Sequence, residues 1–77
     1  MRRPLTSFEI HAATISQKLD DAKAALEGGA HEDARRLQRE IATMRFGGET
    51  AHETYSLLQK VDRAVSEIGA LFDGAAA

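Results

Sequence analysis

Residues 50–72 read TAHETYSLLQKVDRAVSEIGALF, and this stretch decides the fold. Thr50 is followed three residues later by Glu53, the spacing of a capping box, in which each side chain satisfies a free backbone amide at a helix start. Apolar residues then recur every three or four positions, as on one side of a helix. They form two adjacent rows: Leu58, Val61, Val65, Ile68 and Phe72 in the first, and Leu57, Ala64 and Leu71 in the second. The stretch therefore predicts a helix over about 50–73 whose apolar arc is wide enough to contact two other helices.

The start of this stretch repeats an earlier one. Ala51-His52-Glu53 matches Ala30-His31-Glu32, 21 residues before it, and Leu58 matches Leu37 in the same frame. Because 21 residues are three heptads, we expect Leu37 and Leu58 to occupy equivalent positions on two buried helix faces. The earlier copy predicts a helix over about 30–46 with Gly29 as its N-cap. Its apolar stripe comprises Ala34, Leu37, Ile41 and Met44.

A further helix is predicted over about 6–27. Thr6 and Glu9 form another capping box, and Gly28 is expected to end the helix in a left-handed conformation. Its apolar row alternates steps of four and three residues: Phe8, Ala12, Ile15, Leu19, Ala22 and Leu26. Short links favour antiparallel neighbours. We predict an all-α, single-domain protein over 1–77, with frayed ends at 1–5 and 74–77 and three antiparallel helices in a small bundle or broken helical hairpin.

Composition excludes several classes of protein. The chain has 77 residues, no cysteine and a formal net charge of −2, so a disulfide scaffold or thiolate metal site is impossible. The acidic balance argues against a nucleic-acid partner, which usually requires a basic face. No apolar run is long enough to span a membrane. Met1-Arg2-Arg3 resembles the start of a signal peptide, but Glu9 and His11 interrupt any apolar region after it. We therefore expect a cytoplasmic protein.

The two His-Glu pairs invite a test for metal binding. A zinc protease motif requires a second histidine four residues after the first, but Arg35 and Ser56 occupy those positions. The third histidine, His11, belongs to a different predicted helix. Neither Gly-Gly pair is followed by the Lys-Ser or Lys-Thr of a phosphate loop. We expect no metal, no cofactor and no catalysis.

Candidate partner-binding residues come from the surplus apolar surface. The row containing Leu57 and Leu71 is expected either to complete the core or to dock on another protein. Ile10 falls off the apolar row of its helix, and Phe46 and Tyr55 either cap the core or anchor a partner. Arginines on the second helix form either a solvated face balanced by nearby acids or a surface for an acidic partner. These are Arg35, Arg36 and Arg39.

Residues 37–72 resemble the small helical co-chaperones of type III secretion needles, the YscE and PscE family. The residues that carry the resemblance are Gly47-Gly48, Glu53-Thr54-Tyr55, Leu58-Gln59 and Arg63-Ala64, followed by the apolar run to Phe72. The resemblance implies a helical hairpin that binds a helical-repeat chaperone and helps keep a needle subunit soluble. Residues 1–30 have no counterpart in that family.

Two other classes remain open from the sequence. Phages and mobile elements encode small acidic, cysteine-free helical proteins that inhibit large host complexes, anti-CRISPR proteins among them. Filament and needle subunits are also small helical hairpins. The sequence therefore predicts a non-enzymatic protein-binding module. Its expected partner is a helical chaperone, a large host complex or a second copy of the chain.

Overall fold

The computed structural model describes residues 4–76, with side chains described as far as residue 74. In this part of the chain three helices form and no strand: α1 is Ser7–Glu27, α2 is His31–Ala42 and α3 is Ala51–Ala76. Each helix packs against the other two around one hydrophobic core. The predicted all-α bundle is confirmed.

Contacts between side chains define the direction of each helix. The Lys18 ammonium lies 2.7 Å from Glu40 Oε1. Because these residues are equally distant in sequence from the link between α1 and α2, the two helices are antiparallel. Gln38 on α2 donates its Nε2 to the Val65 carbonyl of α3 at 3.1 Å. Arg35 precedes Gln38 on α2, and its partner Phe72 follows Val65 on α3. The helices α2 and α3 are therefore also antiparallel. The order is up-down-up, as predicted.

Both capping boxes are present. At the start of α1, Glu9 N donates to Thr6 Oγ1 at 3.1 Å, and Thr6 N donates to Glu9 Oε1 at 3.3 Å. At the start of α3, Glu53 N donates to Thr50 Oγ1 at 3.1 Å, and Thr50 N donates to Glu53 Oε1 at 2.9 Å. Each box satisfies amides that the helix itself cannot pair.

The link between α1 and α2 turns one residue later than predicted. Gly28 keeps φ at −85° and still donates its N–H to the Ala24 carbonyl at 3.0 Å. Gly29 is the left-handed residue, with φ +82°, a conformation that glycine adopts without strain. The N-cap of α2 is consequently Ala30, which makes no side-chain cap, and the expectation that Gly29 caps α2 was wrong.

Helix α2 is shorter than predicted. We expected it to reach residue 46, but it ends at Ala42, with Thr43 as its C-cap. The Thr43 hydroxyl donates to the Arg39 carbonyl at 2.7 Å, a local bond of the kind that competes with continued helix. Met44 and Phe46 pack against the core from the link that follows. Apolar spacing alone could not separate core contact from helical continuation.

The early end of α2 leaves one end of α3 uncovered on the side that faces α2. Leu58, Val65 and Phe72 lie seven residues apart on the side of α3 that faces α2. Gln38 is level with Val65. Because the two helices are antiparallel, Ala42, one turn further along α2, is level with the turn of α3 that precedes Val65. The earlier part of α3 extends beyond α2, and Leu58 is 50% exposed.

Residues from both predicted rows of α3 form the centre of the core: Val61 and Ile68 from the first row, and Leu57 and Ala64 from the second. Leu57 is completely buried, at 0% exposure. Ala64 on the same row and Ile68 beside it are also buried, together with Ile15 from α1. The expected equivalence of Leu37 and Leu58 was therefore wrong. Leu37 is half-buried against the core, whereas the matching Leu58 is exposed.

The structure describes part of the two end segments that were expected to fray. Pro4 and Leu5 precede α1 in non-helical conformation, while residues 1–3 lie outside the described residues. At the other end, α3 continues through residues 74–76. Residue 77 lies outside the described residues.

Candidate interaction surfaces

Two large apolar side chains are exposed side by side on α3. Tyr55 is 62% exposed and Leu58 is 50% exposed. They are three residues apart, which places them as neighbours on one side of a helix. We refer to Tyr55 and Leu58 as the α3 ridge. The ridge lies on the part of α3 that extends beyond the end of α2.

The structure disperses the other apolar residues of the predicted docking surface. Leu57 is enclosed in the core, so its side chain is not accessible to a partner, which corrects its assignment as a contact residue. Leu71 is exposed but lies about 24 Å further along α3 from Tyr55. Ile10 is exposed on α1, and Phe46 is half-buried against the core. In the described part of the chain, these four residues therefore do not form one surface.

The position of Ile10 follows from helix geometry. Positions two residues apart on a helix differ by about 200°. Phe8 and Ala12 pack against the core, so Ile10 lies on the opposite side of α1. Single exposed apolar residues of this kind are normal on protein surfaces. Ile10 is therefore a suitable control for variants of the α3 ridge.

An open cleft lies where the first turns of α2 meet the last turns of α3. The residues that line it are His31, Glu32, Asp33, Arg35, Arg36, Arg39 and Phe72. The guanidinium carbon of Arg35 is 3.9 Å from the centroid of the Phe72 ring, a cation–π contact. The His31 ring meets the same ring edge-on, with centroids 5.9 Å apart. Phe72, expected in the core, thus also supports a charged side chain at the surface.

The three arginines of the predicted basic face have different partners. Arg36 lies 3.6 Å from a carboxylate oxygen of Asp33 and 3.6 Å from one of Glu40, so its charge is locally balanced. Arg35 makes no ion pair within residues 4–76. It donates to Gln38 Oε1 at 3.4 Å. Arg39 has neither an ion pair nor a side-chain hydrogen bond in the described part of the chain. The sequence suggested one basic face, but the three arginines differ in whether a neighbouring acid balances their charge.

An ion pair joins α1 to α2 beside this face. Lys18 donates a hydrogen bond to Glu40, and this bond holds the pKa of the Glu40 carboxyl below its ordinary value of 4.5. The nearby positive charge of Arg36 lowers the pKa further. Both effects favour the ionised carboxylate. The ionised Glu40 therefore offsets the positive charges of Lys18 on α1 and Arg36 on α2. It does not compensate the charges of Arg35 and Arg39.

A buried carboxylate fastens the link between α2 and α3 to α1. The Glu49 side chain is 0% exposed, and its Oε1 lies 2.5 Å from His11 Nδ1. The other oxygen, Oε2, has no hydrogen-bond partner among residues 4–76. The His11 ring also packs edge-on against Phe46, with centroids 5.0 Å apart. Sequence analysis missed this cluster, because a glutamate beside two glycines has no pattern that distinguishes burial from exposure.

The geometry of the cluster supports an anchoring role. Gly48 adopts φ +88°, and a Cβ there would lie 3.4 Å from Ser7 Oγ, so the link approaches the start of α1 closely. Among the described residues, His11 and Glu49 are not joined by a third side chain that could complete a metal site. The pair holds the link in place against α1.

The fold and these surfaces define a small all-α bundle. Within the described part of the chain, no helix combines the length and apolar character needed to cross a membrane. No protein-family model matches the chain, and no match to it was found among curated proteins or solved structures.

Proposed function

We propose that this chain is a non-enzymatic module that binds another protein through the α3 ridge. The observation that carries the proposal is the exposure of Tyr55 and Leu58, one helical turn apart, where α2 no longer covers α3. Burial of a large apolar side chain contributes about 1.5–3 kcal/mol. Tyrosine is also enriched among the residues that dominate binding energy at protein interfaces. A two-residue apolar anchor on a helix suits a groove on the partner.

The preferred partner is a helical chaperone, with this chain acting as a cytoplasmic secretion co-chaperone or adaptor. Tyr55 and Leu58 are among the residues that carry the resemblance to needle co-chaperones, so that resemblance and the exposed ridge support the same surface. Inhibition of a host complex by a phage-encoded protein is the alternative class. A filament subunit is the third class, in which the partner is another copy of this chain.

Affinity capture from the native host tests the ridge directly. The baits are the wild-type protein, the double variant Tyr55→Ala/Leu58→Ala, and Ile10→Ala as a matched exposed apolar control. We expect the wild type and the control to retain one stoichiometric protein that the double variant loses. Removing two partly exposed side chains leaves the fold intact, which circular dichroism verifies. Equal recovery of the same partner by all three baits would refute the ridge as the binding surface.

Two inexpensive observations separate the three classes. Light scattering of the pure protein gives a monomer or dimer for a co-chaperone or inhibitor, and polymers for a filament subunit. Secretion genes beside the coding gene indicate a co-chaperone, whereas phage or plasmid genes indicate an inhibitor. A strictly monomeric protein that captures no stoichiometric partner contradicts the whole proposal.

A further inference from the structure

Arg35 and Arg39 lie one turn apart on α2 and line the same cleft, Arg35 lies over the Phe72 ring, and neither arginine has a carboxylate partner among residues 4–76. Two cations of α1, Lys18 and Lys23, are by contrast paired with Glu40 of α2 and Glu67 of α3 respectively. We propose that Arg35, Arg39 and Phe72, here called the arginine cleft, form a docking surface for an acidic segment of a partner protein.

The guanidinium of Arg35 is held in position before any partner arrives. Phe72 lies under it, and Gln38 accepts a hydrogen bond from its Nη1. Gln38 is itself fixed, because its Nε2 donates to the Val65 carbonyl of α3. An arginine has five N–H donors, so most of them remain available to a carboxylate. Fixing the side chain in advance reduces the entropy lost on binding.

The spacing of the two arginines suits carboxylates on a peptide. Residues i and i+4 of a helix are about 6 Å apart along its axis. Carboxylates one turn apart on a partner helix, or on alternate residues of an extended strand, have a similar separation of about 6–7 Å. An apolar side chain beside the carboxylate on Arg35 would cover the exposed part of the Phe72 ring, which is half-buried.

The charges around the cleft favour a short acidic protein segment over a nucleic acid. Glu32 and Asp33 lie at the edge of the same cleft, and the whole chain carries a net charge of −2. An extended phosphate backbone would pass these carboxylates, whereas two separate carboxylates of a peptide can avoid them. Nucleic-acid binding also depends on many simultaneous cation–phosphate contacts.

The arginine cleft is independent of the α3 ridge. Leu58 and Phe72 are about 20 Å apart along α3, so the two surfaces lie towards opposite ends of that helix. Loss of binding at one surface therefore leaves the other intact, and the two proposals can fail separately.

Fluorescence anisotropy with defined probes tests the arginine cleft. The main probe is a fluorescein-labelled peptide that repeats Glu-Glu-Leu. The comparison probes are the same peptide with Gln in place of Glu, and single-stranded DNA of similar length. The protein variants are Arg35→Gln/Arg39→Gln and the charge-matched control Arg45→Gln/Arg63→Gln, whose arginines are exposed and do not line the cleft. Circular dichroism and thermal unfolding verify that each variant is folded.

We expect the Glu peptide to bind the wild type and the control variant with the same affinity, and the cleft variant about tenfold more weakly. The Gln peptide should bind the wild type at least about tenfold more weakly than the Glu peptide. If the cleft variant unfolds, Arg39→Gln alone provides the test, because no described residue depends on that side chain; it should bind the Glu peptide about threefold more weakly.

Three results would overturn the proposal. The first is equal affinity of the cleft variant and the control for the Glu peptide. The second is tighter binding of the DNA than of the Glu peptide by the wild type. The third is the absence of any anisotropy change with the Glu peptide up to millimolar protein.

Discussion

Leu57 and Leu58 are adjacent in sequence, and the structure assigns them opposite environments. Leu57 is fully buried at the centre of the core, whereas Leu58 is half exposed on the α3 ridge. Truncating a buried leucine to alanine removes its transfer free energy and leaves a cavity, with a typical cost of about 2–5 kcal/mol. We expect Leu57→Ala to lower the free energy of unfolding by about 3 kcal/mol.

The same substitution at Leu58 has a much smaller expected effect. Its side chain buries only part of its surface, and alanine has the higher helix propensity, so we expect a loss below about 1 kcal/mol. A chain of this length has a total stability of roughly 4–12 kcal/mol, so the Leu57 variant loses a large fraction of it. Its melting temperature should fall by roughly 10–25 °C.

Urea denaturation, followed by the helical circular dichroism signal at about 222 nm, measures the free energy of unfolding of both variants under identical conditions. Equal losses of unfolding free energy for Leu57→Ala and Leu58→Ala would show that α3 is rotated relative to the core described above. A larger loss for Leu58→Ala would refute both the core assignment and the α3 ridge.

Three further predictions concern single residues. Gly69→Ala should raise the free energy of unfolding by about 0.5–1 kcal/mol, because its new Cβ would meet the nearest side chain at an ordinary 3.8 Å; a loss in the same urea assay would indicate a closer helix crossing. His11→Ala should cost about 3 kcal/mol by leaving the Glu49 carboxylate buried and unpaired, and adding Glu49→Leu should recover part of that loss; no recovery would contradict this cause. The lowered pKa of Glu40 means that its ion pair stabilises the fold above about pH 4.5 and that this contribution is lost on further acidification. Lys18→Met should raise that pKa and make the acid loss of stability shallower; an unchanged carboxyl titration by NMR would exclude Lys18 as the main cause.

The helix starts were predictable because their determinants are local. Thr6 with Glu9, and Thr50 with Glu53, each satisfy backbone amides within one turn, so four nearby residues contain the necessary information. The apolar row of α1 was predictable for a similar reason, since its alternating spacing leaves only one side that can be buried.

The end of α2 and the orientation of α3 were less predictable, because they depend on contacts between helices. Met44 continues the apolar spacing of α2 and also packs on the core, yet it lies in the link rather than in the helix. The exposure of Leu58 follows from this early end. The 21-residue repeat encodes similar starts for two helices, and it does not encode which neighbour covers each copy.

The interaction surfaces were predictable only as sets of residues. Arg35, Arg36 and Arg39 were identified from charge, but only the distances to Asp33 and Glu40 reveal that Arg36 is already paired. The burial of a glutamate in a glycine-containing link, far in sequence from its histidine partner, left no local pattern.

Because α1 and α3 are parallel, the end of the chain at which a domain is fused determines which interaction surface that domain lies next to. The link before α3 passes close to Ser7 at the start of α1, so a domain fused ahead of α1 would stand near the α3 ridge. A domain fused after α3 would stand near the arginine cleft, roughly 40 Å away along the long helix. A bulky domain fused at one end would therefore block access to one surface and leave the other accessible, without any substitution in the chain.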